Sequence, residues 1–156
     1  MTAMDEYTGA IISLIEEIAE SQKGSMTQAA RVIADAVEKD GIVYTFGTGH
    51  SHIIAEDVAY RAGGLVPVDA ILEPSLTGHQ QDHKSETMER VEGMAKVIFD
   101  YYEISEKDIM IVISASGRNA APIEMAQVCQ ANNVPVIAIT SLQYSKSVTS
   151  RHSSGT

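Results

Sequence analysis

The apolar residues of this chain recur with two different spacings. From residue 2 to about residue 40 they recur every three or four positions, which predicts two amphipathic helices. Gly24 is expected to end the first helix, and Ser25 is expected to open the second with a capping box. Farther along are short uninterrupted apolar runs typical of strands, at residues 42–46, 109–113 and 136–139. The last two predict strands that are buried on both faces.

Helical spacing returns between these runs, at residues 51–61, 85–102 and 120–132. Leu65–Leu72 indicates a further strand, and Pro67 within it favours an edge position. Strands that alternate with helices predict an α/β fold, a three-layer α-β-α sandwich around a mostly parallel sheet of the flavodoxin or Rossmann type.

The length of 156 residues predicts a single domain over 1–156, with leading helices at 1–40 and an α/β core at 41–156. The tail from residue 141 onward is polar and rich in serine, and it carries no pattern for a closing strand or helix. We therefore expect the fold to be truncated at its C-terminus.

The net charge and the cysteine content of the chain restrict which partners it could bind and in which compartment it could function. A formal net charge of −10 argues against nucleic acid and against anionic membrane surfaces. The sequence shows no membrane-spanning run and no export signal, and its one cysteine, Cys129, cannot form an internal disulfide. These features predict a cytoplasmic protein, with Cys129 on the apolar side of a helix and buried in the protein core.

Two of the apolar runs end in turns of the same design. Gly47–Ser51 follows the first run and Ser114–Asn119 follows the second, and each turn leads into a predicted helix. Glycine lets the backbone approach a ligand, while hydroxyls and the unpaired N–H groups of the helix donate to an anion. The predicted binding residues are Gly47, Thr48, Gly49, His50, Ser51, Ser114, Ser116, Gly117, Arg118, Asn119, Thr140 and Ser141.

A dinucleotide site is one alternative for the first turn. Gly47-Thr48-Gly49 begins like a dinucleotide fingerprint, and Asp69 lies at a suitable distance downstream. The position of the third glycine is His52, which is too bulky for close packing of helix against strand, and the chain has no Walker lysine. We therefore favour a small phosphorylated ligand.

The two turns and their order resemble the SIS (sugar isomerase) domain, with Ser114-x-Ser116-Gly117-x-Asn119 as the more specific part. Within that family the chain resembles phosphoheptose isomerases, N-acetylmuramic acid 6-phosphate etherases and an uncharacterised group of bacterial SIS-domain proteins. The resemblance implies a phosphorylated sugar as ligand. It also implies a homodimer or homotetramer in which a neighbouring subunit completes the cleft.

The resemblance also implies roles for individual residues. Ser114, Ser116 and Asn119 would hold the phosphate, although the family usually has Ser or Thr at the position of Asn119. Ser51 would contact the ligand from across the cleft, and the pair Thr140-Ser141 would border it.

Aldose–ketose isomerisation and elimination both need a general base and a general acid. Related enzymes place a glutamate near the position of Tyr60-Arg61, where this chain has no carboxylate. We predict Glu92, which matches a glutamate of the etherases, and His79 as catalytic residues. The missing glutamate leaves a phosphosugar-sensing domain without catalysis as the alternative.

A metal site is a further alternative for the polar segment after the second strand. His79, Asp82 and His83 could supply ligands there, but a loop fixes no common face and no further ligand is evident. The sequence therefore predicts neither a metal nor a cofactor.

Overall fold

The computed structural model describes residues 2–79 and 82–155, without the side chain of Asp82. Its contacts divide the chain into two compact units, with the boundary between Ala34 and Asp35. The helices are α1 (Ala3–Ser21), α2 (Lys23–Val37), α3 (Ser51–Asp57), α4 (Asp82–Met88), α5 (Met94–Tyr101), α6 (Ala120–Ala131) and α7 (Leu142–Ser147). The strands are β1 (Val43–Gly47), β2 (Val68–Ile71), β3 (Ile109–Ile113) and β4 (Val136–Ile139).

The first unit consists of α1 and most of α2. Thr2 caps α1, since its hydroxyl accepts from the Asp5 N–H while the Asp5 carboxylate accepts from the Thr2 N–H. The predicted break at Gly24 and Ser25 is wrong, because both lie inside α2 and the chain turns at Gln22 instead. The apolar stripe of α1 is between 39% and 60% exposed, at Ile11, Leu14, Ile15 and Ile18.

The second unit is built on a four-stranded sheet in the order β2-β1-β3-β4, and every pairing is parallel. This confirms the predicted α/β class. The edge position of β2 that Pro67 indicated is also confirmed. The order reverses between β1 and β3, since β2 lies on one side of β1 and β3 on the other. Ligands of open parallel sheets bind outside the carboxyl ends of strands at such a point.

Helices cover both faces of the sheet. Alternate residues of β1 and β3 pack with α5 and α6 in one core cluster, whose strand members include Tyr44, Phe46, Met110 and Val112. On the opposite face the buried Thr45 hydroxyl donates to the Ala55 carbonyl of α3 at 2.9 Å. These layers confirm the predicted sandwich, and Cys129 lies in the core as expected, with no exposed surface.

Three predicted elements differ from the structure. The helix predicted at 51–61 ends at Asp57, and the helix predicted at 85–102 is divided into α4 and α5. Gly93, the residue just before α5, has φ of 88°, a left-handed conformation that glycine adopts without strain. The expectation that 136–139 is buried on both faces is wrong for the described residues, because β4 lies at the edge of the sheet that they form and Ile139 is 51% exposed.

No helix in the described part of the chain is both long enough and apolar enough to span a bilayer.

Candidate ligand site at the carboxyl edge of the sheet

The first turn, residues 47–51, fits closely against the start of α3. A Cβ at Gly47 would lie 2.7 Å from the backbone C and O of Ser51, so no larger residue fits without moving the backbone. Gly49 has φ of +53°, and its N–H donates to the Leu76 carbonyl at 2.8 Å. Glycine is thus required at position 47, where there is no space for a side chain, and favoured at position 49, where the backbone is left-handed.

The side chain of Thr48 points away from solvent and holds a carboxylate. Its hydroxyl donates to Glu89 Oε2 at 2.6 Å, and Thr48 is buried while Glu89 is half-buried. The contact joins the first turn to the segment between α4 and α5 across 41 residues of sequence. Sequence reasoning missed Glu89, since no local motif marks it.

A cavity of about 380 Å³ opens beside the first turn. It is lined from three directions: by residues of the first turn and the start of α3, though not by Ser51; by the segment after β2; and by α4 with the residue that follows it. Among the predicted site residues, Gly49, His50 and His79 line it, and Glu86 and Glu89 add two carboxylates. Imidazoles and carboxylates in one cavity are groups that can transfer protons.

Two histidines of this cavity contact each other. His52 Nε2 lies 2.7 Å from His79 Nε2, and the rings meet edge to face with centroids 4.4 Å apart. His52 is 3% exposed, and its Nδ1 is hydrogen-bonded to the Gly49 carbonyl, whereas the His79 side chain is 63% exposed. His79 is therefore positioned by a buried partner, His52, which the sequence analysis did not include among the site residues.

The second turn, residues 114–119, follows β3 directly. Ser114 Oγ accepts from the Gly117 N–H at 3.1 Å, which leaves the Ser114 hydroxyl hydrogen free to donate elsewhere. Gly117 has φ of +58°, and a Cβ there would lie 3.6 Å from the hydroxyl oxygens of Thr140 and Ser145. Among the described residues the half-buried Ser116 hydroxyl has no hydrogen-bond partner. The turn thus gathers several hydroxyls around one glycine.

The remaining predicted residues of this turn bind the C-terminal segment of the chain. Arg118 Nε donates to the Thr149 carbonyl at 3.1 Å, and Asn119 Oδ1 accepts from Arg151 at 2.9 Å. Thr140 Oγ1 donates to the Ala115 carbonyl at 3.4 Å. In a separate contact, Ser141 caps α7.

Glu92 is not among the residues that line the cavity. Its carboxylate accepts from Ser153, from the N–H at 2.7 Å and from the hydroxyl at 2.8 Å. These hydrogen bonds, first that of the Ser153 hydroxyl, lower the pKa of Glu92, and His152 lowers it further. His152 Nε2 in turn lies 3.5 Å from a Glu124 carboxylate oxygen. Glu92 is thus bound to the C-terminal segment of the chain, the same segment that binds the second turn.

The chain belongs to the SIS domain family, whose model matches residues 6–141. It is 40% identical over 154 residues to a UPF0309 protein of Halalkalibacterium halodurans, covering 99% of this chain and 64% of that protein. It is 41% identical over 152 residues to a UPF0309 protein of Listeria innocua, covering 97% and 62%. The chain therefore spans a little under two thirds of the length of these curated relatives.

Solved structures share the fold. A phosphoheptose isomerase from Neisseria gonorrhoeae superposes with a TM-score of 0.67 at 22% identity, over 93% of this chain and 78% of that one. An E. coli CFT073 protein in complex with a phosphosugar superposes with a TM-score of 0.58 at 18% identity, over 99% and 80%. The predicted resemblance to the SIS domain is thereby confirmed, and the α/β architecture is shared with both structures.

Proposed function

We propose that this domain binds a phosphorylated sugar in the crevice outside the carboxyl ends of β1 and β3. The observation that carries the proposal is the position of the two turns, which follow neighbouring central strands at the point where the strand order reverses. One structural neighbour was solved with a bound phosphosugar, and others are phosphoheptose isomerases.

The phosphate is proposed to bind at residues 114–119. Ser114 and Ser116 have hydroxyl hydrogens that can donate, and Gly117 lets the backbone approach the ligand. Because α6 begins at Ala120, the partial positive charge of its N-terminus also favours an anion. Ser51 would contact the ligand from the first turn.

The sugar is proposed to extend toward the cavity beside the first turn, where isomerisation or elimination would take place. His79 remains a proposed acid or base, and Glu89 joins it as a candidate base since both line this cavity. Glu92 remains a candidate through the network at Ser153. A homodimer or homotetramer whose neighbour completes the crevice also remains a proposal.

A phosphosugar-sensing domain without catalysis is the alternative. The observation that favours it is at Tyr60 and Arg61, where related enzymes have a glutamate. Tyr60 is fully exposed, and Arg61 is paired with Asp57 at 2.5 Å. No carboxylate therefore occupies that position in this chain.

Binding is tested by the shift in melting temperature with hexose, hexosamine and heptose phosphates, against the unphosphorylated sugars and inorganic phosphate. Ser116→Ala should weaken binding roughly ten- to hundredfold, because a hydrogen bond to a charged group contributes about 1.5–3 kcal/mol. Ser21→Ala, the same change at an exposed site in α1, is the matched control. No shift with any phosphosugar, or equal affinity for Ser116→Ala and wild type, would contradict the proposal.

Catalysis is tested separately with any sugar that binds. Glu89→Gln, His79→Ala and Glu92→Gln should each be compared with wild type for turnover and for binding. An enzyme should lose turnover in at least one variant that still binds, whereas wild-type binding with no turnover supports the sensor.

A further inference from the structure

Three side chains with potential metal ligands converge beside the first turn. His52 and Glu56 lie one helical turn apart on α3, and His79 lies in the segment after β2. One ligand atom from each, two imidazole nitrogens and a carboxylate oxygen, lies within 4.8 Å of the others. We propose that this group, the His52–Glu56–His79 cluster, binds Zn²⁺.

His52 is held in the orientation that a metal ligand needs. Its Nδ1 is bonded to the Gly49 carbonyl, which can only accept, so Nδ1 carries the hydrogen. In the neutral ring Nε2 then has a lone pair, which is directed at His79 and can accept its hydrogen bond. Metal-binding histidines commonly have their second nitrogen fixed by a carbonyl in this way. Since His52 is 3% exposed, the surrounding packing keeps the ring in place.

A cation can bind between the two imidazoles only if the His79 ring moves. At 2.7 Å, one proton must lie between the two Nε2 atoms. Tetrahedral zinc with bonds of about 2.0–2.1 Å needs its nitrogens about 3.3 Å apart and at an angle to the metal, so the His79 ring must both withdraw from His52 and turn to one side of the present line between the two nitrogens. His79 can do so because its side chain is 63% exposed. Glu56 Oε2, the third proposed ligand atom, is 3.9 Å from His79 Nε2.

The ligand set matches one class of zinc site. Two histidines and one glutamate leave a fourth coordination position open, which is the arrangement of catalytic rather than structural zinc. His52 and His79 both line the cavity, so the open position is accessible from it. A cation there would occupy His79 and would leave Glu89 as the acid or base of the cavity.

A second group of possible ligands, Glu92, Glu124 and His152, provides a contrast. Both oxygens of Glu92 accept hydrogen bonds from Ser153, and both oxygens of Glu124 accept from the Gly93 N–H at 2.7 and 2.9 Å. The carboxylates of that group are already bound by the protein. In the His52–Glu56–His79 cluster, the His52 lone pair is bound only by His79, itself a proposed ligand, and the Glu56 carboxylate is exposed, so this is the stronger site.

The test uses the chain without an affinity tag, freed of metal by a chelator and titrated with Co²⁺, whose visible absorption reports tetrahedral coordination. Wild type should bind one equivalent, Zn²⁺ should displace it, and acid should weaken binding because the imidazoles must be unprotonated. His79→Ala and Glu56→Gln, both at exposed side chains, should each weaken binding at least roughly tenfold. His83→Ala, at an exposed histidine outside the cluster, should leave it unchanged.

The absence of a saturable Co²⁺ spectrum, or an equal loss in His83→Ala and His79→Ala, would overturn the zinc site. The measurement needs no sugar, so it does not depend on the proposed function. Ser116→Ala should keep the Co²⁺ spectrum of wild type while binding phosphosugar more weakly. Metal binding and sugar binding are therefore tested separately, and either proposal can fail without the other.

Discussion

The hydrogen bond from Thr48 to Glu89 should be a main support of the first turn. Thr48→Val removes the hydroxyl and keeps the shape of the side chain. The bond is 2.6 Å long, its donor is 8% exposed and its acceptor is a carboxylate. Hydrogen bonds to charged groups contribute about 1.5–3 kcal/mol, and water can partly replace the lost donor at the half-buried Glu89. We therefore expect the free energy of unfolding to fall by about 1.5–2 kcal/mol.

The assay is urea unfolding followed by circular dichroism, with Thr77→Val as the matched control. Thr77 is 7% exposed, and its hydroxyl donates to the Pro74 carbonyl at 3.2 Å, a bond between neutral groups. Its loss should cost only about 0.5–1.5 kcal/mol. A double-mutant cycle with Glu89→Gln should give a coupling energy of about 1 kcal/mol or more between Thr48 and Glu89. Equal costs for the two valine variants, together with zero coupling, would refute the reasoning.

Three further predictions concern single sites. Gly47→Ala should lower the free energy of unfolding by about 1–3 kcal/mol, because the new methyl group would clash with the Ser51 backbone. Gly24→Ala, in open space within α2, should raise the free energy of unfolding by about 0.5–1 kcal/mol. Urea titration of both variants measures the two changes. Burial raises the pKa of the Cys129 thiol to about 12, so a thiol reagent should label it only after unfolding, and fast labelling of the folded chain would contradict this. Hydrogen bonds from Ser153 lower the pKa of Glu92 in the folded protein. Their contribution to stability is therefore present above the pKa of Glu92 in the unfolded chain and is lost as the pH falls through its pKa in the folded protein. In an NMR titration Ser153→Ala should raise the pKa of Glu92, and an unchanged pKa would show that the contact is not formed.

The sheet could be predicted because the information for it is local. The apolar runs at 42–46 and 109–113 became central strands, and Pro67 marked an edge. The burial of β4 was predicted wrongly because its apolar sequence is that of a central strand, while its place at the edge of the described sheet depends on which strands pair with it. Gly24 was misleading for a related reason, since a helix tolerates one glycine at a cost of only about 1 kcal/mol.

The two turns were evident in the sequence because glycine and hydroxyl residues follow each strand directly. The groups around them were not, because their contacts are distant in sequence. Glu89 reaches Thr48 across 41 residues, and His79 reaches His52 across 27. Sequence reasoning chose His79 for its residue type alone, and nothing in the spacing of His52, Glu56 and His79 indicated that they share one cluster.

The charged groups around the crevice favour one orientation of the proposed phosphosugar ligand. In a chain of net charge −10, a phosphate is stable only where local donors outweigh the overall field. The cavity beside the first turn carries the carboxylate of Glu89, which disfavours an anion, and that of Glu86, whose charge is partly offset by its pairing with Arg90. The second turn presents hydroxyls and the N-terminus of α6, and no carboxylate belongs to residues 114–119. Since an uncharged sugar tolerates carboxylates and can donate its hydroxyls to them, the phosphate should lie at the second turn and the reacting carbons at the cavity.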